Sequence, residues 1–344
     1  MQIKQWVILC LSFFSFVLFG LNETFAPTSI PLEYPTDWPE PTYDFSKNPL
    51  TEEGVFLGRK LFYEPLLSKN NMVSCSSCHL SFTAFTHVDH ALSHGINDSI
   101  GNRNSLALIN LAWSEHFMWD GAAHHLDVQA LSPISDPKEL GEDFNVVIQK
   151  LQKTSLYPSL FYQAFGDSIL TGEYLLKALS QFQLTFVSAN SKYDKVMRKE
   201  EGVSFTTQEE KGYQVFKKNC SSCHIEPLFT NGGFENNGLA KDSILNDLGR
   251  FSITQNPEDL LRFKVPTLRN IKYSFPYMHD GRFRKLSQVI NHYSNDVIPS
   301  STLSPLLTEG LNLSHEEKVD LLAFLLTLSD KKFVFNQNFT YPKN

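Results

Sequence analysis

Cys75-Ser76-Ser77-Cys78-His79 and Cys220-Ser221-Ser222-Cys223-His224 are two copies of one five-residue pattern in a chain of 344 residues. In each copy the two thiols are spaced to bond to the vinyl groups of one porphyrin, and the adjoining His79 or His224 can bind the iron. A zinc site would pool the two cysteine pairs, and a dithiol redox site does not need a following histidine. The sequence therefore predicts two covalently bound haem c groups.

The N-terminus has the pattern of an export signal. Lys4 precedes an uncharged stretch from Trp6 to Leu21, and the segment ends on the small residue Ala26. We predict that residues 1–26 are a signal peptide and that the product is periplasmic. The alternative is an uncleaved signal that anchors the chain, because the apolar stretch is near the shortest that spans a bilayer. Cys10, the only cysteine outside the two motifs, lies in this segment and leaves no pair for a disulfide.

The formal net charge is -7, and removing residues 1–26 takes away one lysine and one glutamate, so it stays the same. An acidic chain of this kind is a poor partner for nucleic acid. The length is sufficient for two domains of ordinary size.

Helix signals precede both haem motifs. Thr51 is placed to cap a helix that contains Phe56, Leu57, Leu61 and Phe62. A capping-box pattern at Thr207 and Glu210 predicts the helix before the second motif. Strand signals are sparse, so we predict a mainly α fold with two cytochrome c-like haem domains in tandem.

We divide the chain by composition and periodicity. The Pro-rich residues 27–50 are expected to form an extended lead that wraps the surface. Residues 51–200 would form the N-terminal haem domain, and residues 201–335 the C-terminal one. Helical periodicity from Tyr174 to Val187 and the polar segment after it place the boundary near residue 200. The Gly- and Asn-rich segment from Asn231 to Asn246 is expected to be a loop.

A tandem duplication is visible at an offset of 160 residues. Leu108-x-Asn110 matches Leu268-x-Asn270, and Met118-x-Asp120-Gly121 matches Met278-x-Asp280-Gly281. In addition, Gly58-x-x-Leu61-Phe62 resembles Gly212-x-x-Val215-Phe216, in the helices that precede the two haem motifs. The two halves are therefore expected to share one local design.

The duplication also suggests how the two irons differ. Met278 is a candidate sixth ligand of the second haem, but Met118 occupies the matching position, so a packed methionine in a shared turn explains both. At the same offset Tyr293 falls opposite Pro133, and a phenolate can bind ferric iron whereas proline has no donor atom. This asymmetry predicts a second haem ligated by His224 and Tyr293, and a first haem on His79 with an open distal side.

The residues resemble the bacterial di-haem cytochrome c peroxidase/MauG family over most of the mature chain. The two haem motifs carry this resemblance together with His94-Gly95, Arg103-Asn104-Ser105, Phe117-Met118-Trp119-Asp120-Gly121, Phe263-Lys264-Val265-Pro266-Thr267-Leu268-Arg269-Asn270 and Pro276-Tyr277-Met278-His279-Asp280-Gly281.

The resemblance implies roles for several residues. Trp119 would lie between the haems, and Gln129 and Glu139, which follow it by 10 and 20 positions, would lie on the peroxide side. A carboxylate beside an open iron position can move a proton between the two oxygens of a peroxide. The family also places a calcium ion between the domains, which would correspond to Asn104 and to the carbonyl groups of Ser274 and Pro276.

This chain combines two patterns within the family. Peroxidases that use small electron donors usually have Met at the position of Tyr293, whereas MauG has Tyr. In classical members a histidine corresponding to His94 binds the peroxidatic iron at rest, and MauG lacks that ligand. His87 and His90 compete with His94 for such a role, and any of the three can be an ordinary loop histidine.

These observations lead to three functional hypotheses. The first is a periplasmic peroxidase that reduces hydrogen peroxide to water at the N-terminal haem, with electrons from a small redox protein entering through the C-terminal haem. The second is a MauG-like enzyme that oxidises residues of a partner protein. The third is a di-haem electron carrier, which Pro133 disfavours and a permanent His94 ligand would favour. Each of the three is compatible with a homodimer.

Overall fold

A computed structural model describes residues 25–342. Within this part of the chain the fold is mainly α, as predicted, and its helices are α1 (Glu52–Phe62), α2 (Cys75–Cys78), α3 (Leu126–Gln129), α4 (Leu131–Ser135), α5 (Phe144–Gln152), α6 (Tyr157–Phe165), α7 (Gly172–Leu184), α8 (Lys192–Met197), α9 (Thr207–Asn219), α10 (Phe251–Thr254), α11 (Leu286–Asn295), α12 (His315–Leu326) and α13 (Lys331–Val334). Two short strands, β1 (Phe234–Glu235) and β2 (Phe263–Lys264), form an antiparallel pair.

The N-terminal half is built on a close crossing of α1 and α7. Thr51 caps α1 as predicted, because its hydroxyl accepts a hydrogen bond from the Gly54 N–H at 3.0 Å. A Cβ on Gly58 would lie 1.9 Å from the carbonyl oxygen of Ala178, so only glycine permits this approach. Phe182, one turn further along α7, is buried beside the contact.

The C-terminal half repeats this crossing with α9 and α12. A Cβ on Gly212 would lie 1.9 Å from the carbonyl oxygen of Asp320, and Phe324, one turn further along α12, is fully buried. The predicted resemblance between the Gly58 and Gly212 segments is therefore confirmed as the same helix-packing device. Each helix pair belongs to its own hydrophobic core, so the prediction of two tandem domains is also confirmed.

The repeat at an offset of 160 residues is present in the backbone. Met118 and Met278 adopt φ values of 69° and 74°, in the left-handed region that methionine rarely occupies. The turns around them close through equivalent bridges, one between Phe117 and Ala123 and one between Tyr277 and Phe283. Two copies of such an uncommon turn support the duplication.

Residues 27–50 run over both halves in extended segments separated by turns. Trp38 is buried, and the Arg269 guanidinium lies 4.7 Å from the centre of its ring. The carbonyl group of Pro39 accepts a hydrogen bond from Trp113 Nε1 at 2.7 Å. This lead therefore contacts residues from both halves of the chain.

Three local predictions need correction. The capping box of α9 is formed by Thr206 and Glu209, one residue earlier than predicted; the Thr206 N–H donates to the Glu209 carboxylate at 2.7 Å. The polar segment after α7 contains α8, which the sequence pattern did not indicate. The loop from Asn231 to Asn246 is largely irregular, but it includes β1.

The predicted signal peptide lies almost wholly outside the described residues. In residues 25–342 no helix is long and apolar enough to cross a membrane.

Candidate haem sites and the partition between them

The first haem motif forms a single helical turn. The two cysteines begin and end α2, and His79 follows directly at its C-cap. The His79 Nδ1 lies 2.7 Å from the carbonyl oxygen of Phe85, which orients the ring through Nδ1, the arrangement in which Nε2 serves as the metal ligand. Burial lowers the pKa of His79, which favours the neutral imidazole that an iron ligand needs.

The second motif repeats this geometry after α9. The His224 Nδ1 lies 3.1 Å from the carbonyl oxygen of Phe229, and burial lowers the pKa of His224 to about 4. The four motif cysteines are free thiols, as thioether formation requires, and burial raises the pKa of each of them.

Each motif opens into its own cavity. The N-terminal cavity, which contains Cys78 and His79 among its lining residues, encloses about 630 Å³. The C-terminal cavity, lined by Cys220, Cys223 and His224, encloses about 210 Å³ and has mostly apolar walls. Paired free thiols, an oriented imidazole and an adjoining cavity are the donor set that haem c needs, so both sites fit the group.

A thin partition separates the cavities. Trp119 and the segments 104–107 and 264–267 line both of them. Trp119 is 9% exposed, and its Nε1 donates to the carbonyl oxygen of Asn104 at 2.8 Å. Its own carbonyl oxygen accepts from the Lys264 N–H at 2.7 Å. Trp119 is therefore hydrogen-bonded through its indole to the N-terminal half and through its carbonyl group to the C-terminal half, in a layer that lines both cavities.

Gln129 and Glu139 both line the N-terminal cavity, as does Pro133. Burial, with a smaller effect from the Asp136 carboxylate, raises the pKa of Glu139 to about 7. The Gln129 amide lies 3.3 Å from the sulfur of Met118. The structure thus brings together a carboxyl group that exchanges its proton near neutral pH and a side-chain amide.

His94 is placed differently from these residues. Its Nδ1 lies 2.7 Å from the Asp98 carboxylate, and its ring packs against that of His90, with the ring centres 4.1 Å apart. Among the described residues, those lining the N-terminal cavity include Ser93 but not His94. The His94 carbonyl oxygen is nevertheless 3.2 Å from Cys78 Sγ, so the backbone of this loop reaches the haem site.

Tyr293 and Met278 both line the C-terminal cavity. The Asn237 side-chain amide lies 3.4 Å from the Tyr293 hydroxyl and 3.6 Å from the Met278 sulfur. Burial raises the pKa of the Tyr293 phenol to about 12. Tyr293 and Pro133 therefore face equivalent cavities, as the duplication suggested, and both candidate sixth ligands are within reach of one amide.

Comparisons with known proteins agree with this arrangement. Residues 52–202 match the family model described as di-haem cytochrome c peroxidase, and residues 209–329 match cytochrome c. The methylamine utilization protein MauG of Methylophilus methylotrophus is 35% identical over 82% of this chain and 84% of its own length. The chain belongs to the di-haem cytochrome c peroxidase/MauG family.

Two further similarities support the family assignment. The cytochrome c551 peroxidase of Nitrosomonas europaea is 30% identical over 84% of this chain and 83% of its own length. The crystal structure of a MauG-like protein associated with microbial copper homeostasis superposes with a TM-score of 0.82 at 30% identity, covering 91% of this chain and 99% of that one. As a member of the family, the protein is an oxidoreductase that carries two haem c groups.

The residues that would correspond to the family's calcium site also converge. Asn104, Ser274 and Pro276 all line the C-terminal cavity, although the Asn104 amide is hydrogen-bonded to the carbonyl oxygen of Ala91 at 2.9 Å. The Asn104 N–H also donates to the carbonyl oxygen of His279 at 2.7 Å. This arrangement joins the partition to the second half of the chain.

Two residues of the site, Lys264 and Asn237, were not assigned a role from the sequence. Lys264 lines both cavities, its ammonium donates to the carbonyl oxygen of His116, and burial lowers its pKa to about 8. Its place in a family motif was visible, but the motif alone assigns it no role. Asn237 lies in a segment that composition marks only as a loop, so no sequence signal identified it.

Proposed function

We propose that this protein is a periplasmic di-haem peroxidase that reduces hydrogen peroxide to water at the N-terminal site. Two electrons and two protons are needed for each peroxide, and we propose that the electrons come from a small redox protein through the C-terminal site. The proposal depends above all on Glu139, a carboxyl group in the N-terminal cavity whose pKa is raised to about 7.

Glu139 is suited to the proton transfers of peroxide cleavage. Near neutral pH a substantial fraction of the group is ionised, so it can accept a proton from one oxygen of hydrogen peroxide and return it to the other. A solvated glutamate, with its lower pKa, would be a weaker base for the first transfer. Burial in the cavity supplies the difference in pKa.

Gln129 and Trp119 complete the site. The Gln129 amide can donate a hydrogen bond to an oxygen of the substrate in the same cavity. Trp119 lies in the partition and has the extended π system that can pass an electron between the two sites. When bound, the haem of the N-terminal site would supply the open iron position and the redox chemistry that cleaves the O–O bond.

Periplasmic location is part of the same proposal. It is supported by the signal pattern in residues 1–26 and by the two haem motifs, since haem c is attached to exported chains in bacteria.

A MauG-like oxidation of a partner protein is the second candidate function. It is supported by Tyr293, which lines the C-terminal cavity where the MauG pattern has tyrosine, and by the similarity to MauG itself. The family assignment favours either enzyme over a plain electron carrier.

The test is steady-state peroxide reduction by the Glu139→Gln holoprotein. We expect kcat/KM to fall about 100-fold or more, the usual effect of removing an acid-base group, while both haem spectra are retained. Glu201→Gln, at an exposed position between α8 and α9, is the matched control and should match the wild type. Unchanged turnover in Glu139→Gln would exclude the proposed proton transfer, and a wild type inert to peroxide would exclude the peroxidase.

A further inference from the structure

Two tyrosines share one carboxylate oxygen in the C-terminal half. The hydroxyl groups of Tyr193 and Tyr213 both donate a hydrogen bond to Oε1 of Glu226. The bond from Tyr213 is 2.9 Å long, and the bond from Tyr193 is shorter. The ring centres of the two tyrosines are 6.2 Å apart. Nothing in the proposed peroxide chemistry uses this group of residues.

The inner tyrosine is linked to the C-terminal haem site through Phe229. Tyr193 is 4% exposed, and its ring packs edge-on against Phe229, with the ring centres 4.8 Å apart. The Phe229 carbonyl oxygen is the group that orients His224 through Nδ1. Phe229 therefore contacts both Tyr193, through its ring, and the predicted proximal iron ligand, through its carbonyl group.

The outer tyrosine, Tyr213, lies nearer to the protein surface. Tyr213 is half-buried; its ring stacks on Phe324 at a centre-to-centre distance of 5.0 Å, and the Lys217 ammonium lies 4.6 Å from the ring centre. The shared carboxylate thus connects a buried phenol that packs against Phe229 to a half-buried phenol near the surface.

Oxidation of a buried tyrosine requires a proton acceptor as well as an electron acceptor. Burial, and then the hydrogen bond to Glu226, raise the pKa values of Tyr193 and Tyr213, so both phenols hold their protons at neutral pH. A tyrosine that loses an electron becomes strongly acidic and gives its proton to a hydrogen-bonded base. Glu226 is placed to be that base for both phenols.

We propose that Tyr193, Glu226 and Tyr213 form a proton-coupled redox relay that carries oxidising equivalents from the C-terminal haem site to the protein surface. The inference rests on the proposed function, because peroxide is the oxidant. Tyr193 gives an electron to the oxidised site and its phenolic proton to Glu226, which leaves a neutral tyrosyl radical.

The second step moves the radical outward. Tyr213 gives an electron to the Tyr193 radical and its proton to the Glu226 oxygen, while Glu226 returns a proton to Tyr193. The net result is a radical on Tyr213 with no change in total charge. A one-electron donor that reaches the Tyr213 surface, a small reductant or an aromatic side chain of another protein, would then supply an electron. Glu226 would return its proton to Tyr213 at the same time, which restores both the phenol and the carboxylate.

The experiment is freeze-quench EPR of the holoprotein mixed with hydrogen peroxide, with haem absorption recorded in parallel. We expect a tyrosyl signal in the wild type and its loss in Tyr193→Phe and in Glu226→Gln. Tyr213→Phe should keep a signal at Tyr193 but lose the spin-trap adduct that mass spectrometry would locate at Tyr213 in the wild type.

Tyr157→Phe is the matched control. Tyr157 is also buried and also donates to a carboxylate, Glu64, at 2.6 Å, but it belongs to the N-terminal core, whereas Tyr193 packs against Phe229 in the C-terminal core. This variant should retain the full signal. Glu226→Gln preserves the shape of the side chain, and Tyr193→Phe preserves the aromatic ring. If one of these two variants fails to fold, the other still tests the relay.

The outcomes separate the two proposals. A tyrosyl signal that survives in both Tyr193→Phe and Glu226→Gln overturns the relay. The relay is also overturned if the wild type shows no tyrosyl signal although its haem spectra respond to peroxide. In that case the peroxidase proposal would still stand. Haem spectra that ignore peroxide would overturn the proposed function and, with it, the relay.

Discussion

Gly95 and the backbone of Glu139 are in direct contact: a Cβ on Gly95 would lie 2.4 Å from the Glu139 carbonyl oxygen and 2.5 Å from its Cα. The same carbonyl oxygen accepts a hydrogen bond from the Ile96 N–H at 2.8 Å. The loop that contains His94 therefore packs against the backbone segment that carries the Glu139 side chain. This contact gives the His94-Gly95 pair a structural role that does not depend on His94 as an iron ligand.

Gly95→Ala should impair peroxide turnover without removing any group that reacts. The added methyl group meets backbone atoms, which cannot move aside as a flexible side chain can, so Glu139 must shift. A displacement of about 1 Å in a reacting group can cost on the order of 100-fold in rate, and we expect a loss of kcat/KM approaching that size. The measurement is steady-state peroxide reduction by the haem-loaded variant.

Gly101→Ala is the control for this prediction. Its Cβ would lie 2.4 Å from the Ser93 hydroxyl, the end of a side chain that can rotate, and 3.2 Å from the Ser93 carbonyl oxygen, a milder backbone contact than those at Gly95. We expect nearly normal turnover from this variant. Equal losses in both variants would show that the loop tolerates no substitution and that the contact with Glu139 has no special importance.

The raised pKa of Glu139 predicts how activity depends on pH. Peroxide reduction needs the ionised carboxylate to accept the first proton, so kcat/KM should rise with pH through an ionisation at about 7. In Glu139→Gln this ionisation should disappear from the profile of the residual activity. A profile that is flat between pH 5 and 9 in the wild type would contradict the assignment of Glu139 as the base.

The same pKa makes a prediction for stability. The folded state keeps the Glu139 proton up to a pH of about 7, whereas the unfolded chain releases it near the ordinary value of 4.5. The free energy of unfolding should therefore fall as the pH rises between these values, by at most about 3 kcal/mol from this group. Denaturant titrations at pH 5 and 7 should show a smaller decrease for Glu139→Gln than for the wild type.

Much of this architecture could be predicted from local sequence patterns. The haem motifs, the cap at Thr51 and the repeat at an offset of 160 are encoded in short stretches. Pro133 and Tyr293, which this offset aligns, line the N-terminal and the C-terminal cavity respectively. The capping box of α9 was misplaced because Thr206 and Thr207 are each followed three residues later by Glu, so the pattern fits both registers.

The contacts that define the site were not predictable in this way. Gly95 meets Glu139 across 44 positions of sequence, and Lys264 is buried against the carbonyl oxygen of His116 across 148. Such contacts depend on how the chain folds back on itself, and no periodicity records them. The Glu226 carboxylate shared by two tyrosines is of the same kind, because the three residues become neighbours only in the folded chain.

Removal of calcium should slow electron transfer between the haems by disturbing the partition between the two cavities. If Asn104, Ser274 and Pro276 hold a calcium ion, its loss would disturb the segment whose carbonyl oxygen accepts from Trp119 Nε1. We expect chelator-treated protein and Asn104→Ala to lose bound calcium by elemental analysis and to transfer electrons between the haems more slowly in stopped-flow absorption. Asn102→Ala, at an exposed neighbouring position, is the control. Purified protein that contains no calcium would contradict the site.

Tyr293 and Met278 are alternative sixth ligands of the second haem, and the two assignments predict opposite results for their variants. A Tyr293 phenolate ligand would require the loss of a proton from a phenol whose pKa burial raises to about 12, and ferric iron provides the positive charge that permits this loss. Tyr293→Phe should then change the low-spin EPR signal of one haem and raise its reduction potential, because phenolate stabilises the ferric state. Met278→Leu, which keeps the size of the side chain, should leave that signal in place. The reverse result, a signal changed by Met278→Leu and unaffected by Tyr293→Phe, would make Met278 the ligand and leave Tyr293 as a phenol hydrogen-bonded to Asn237.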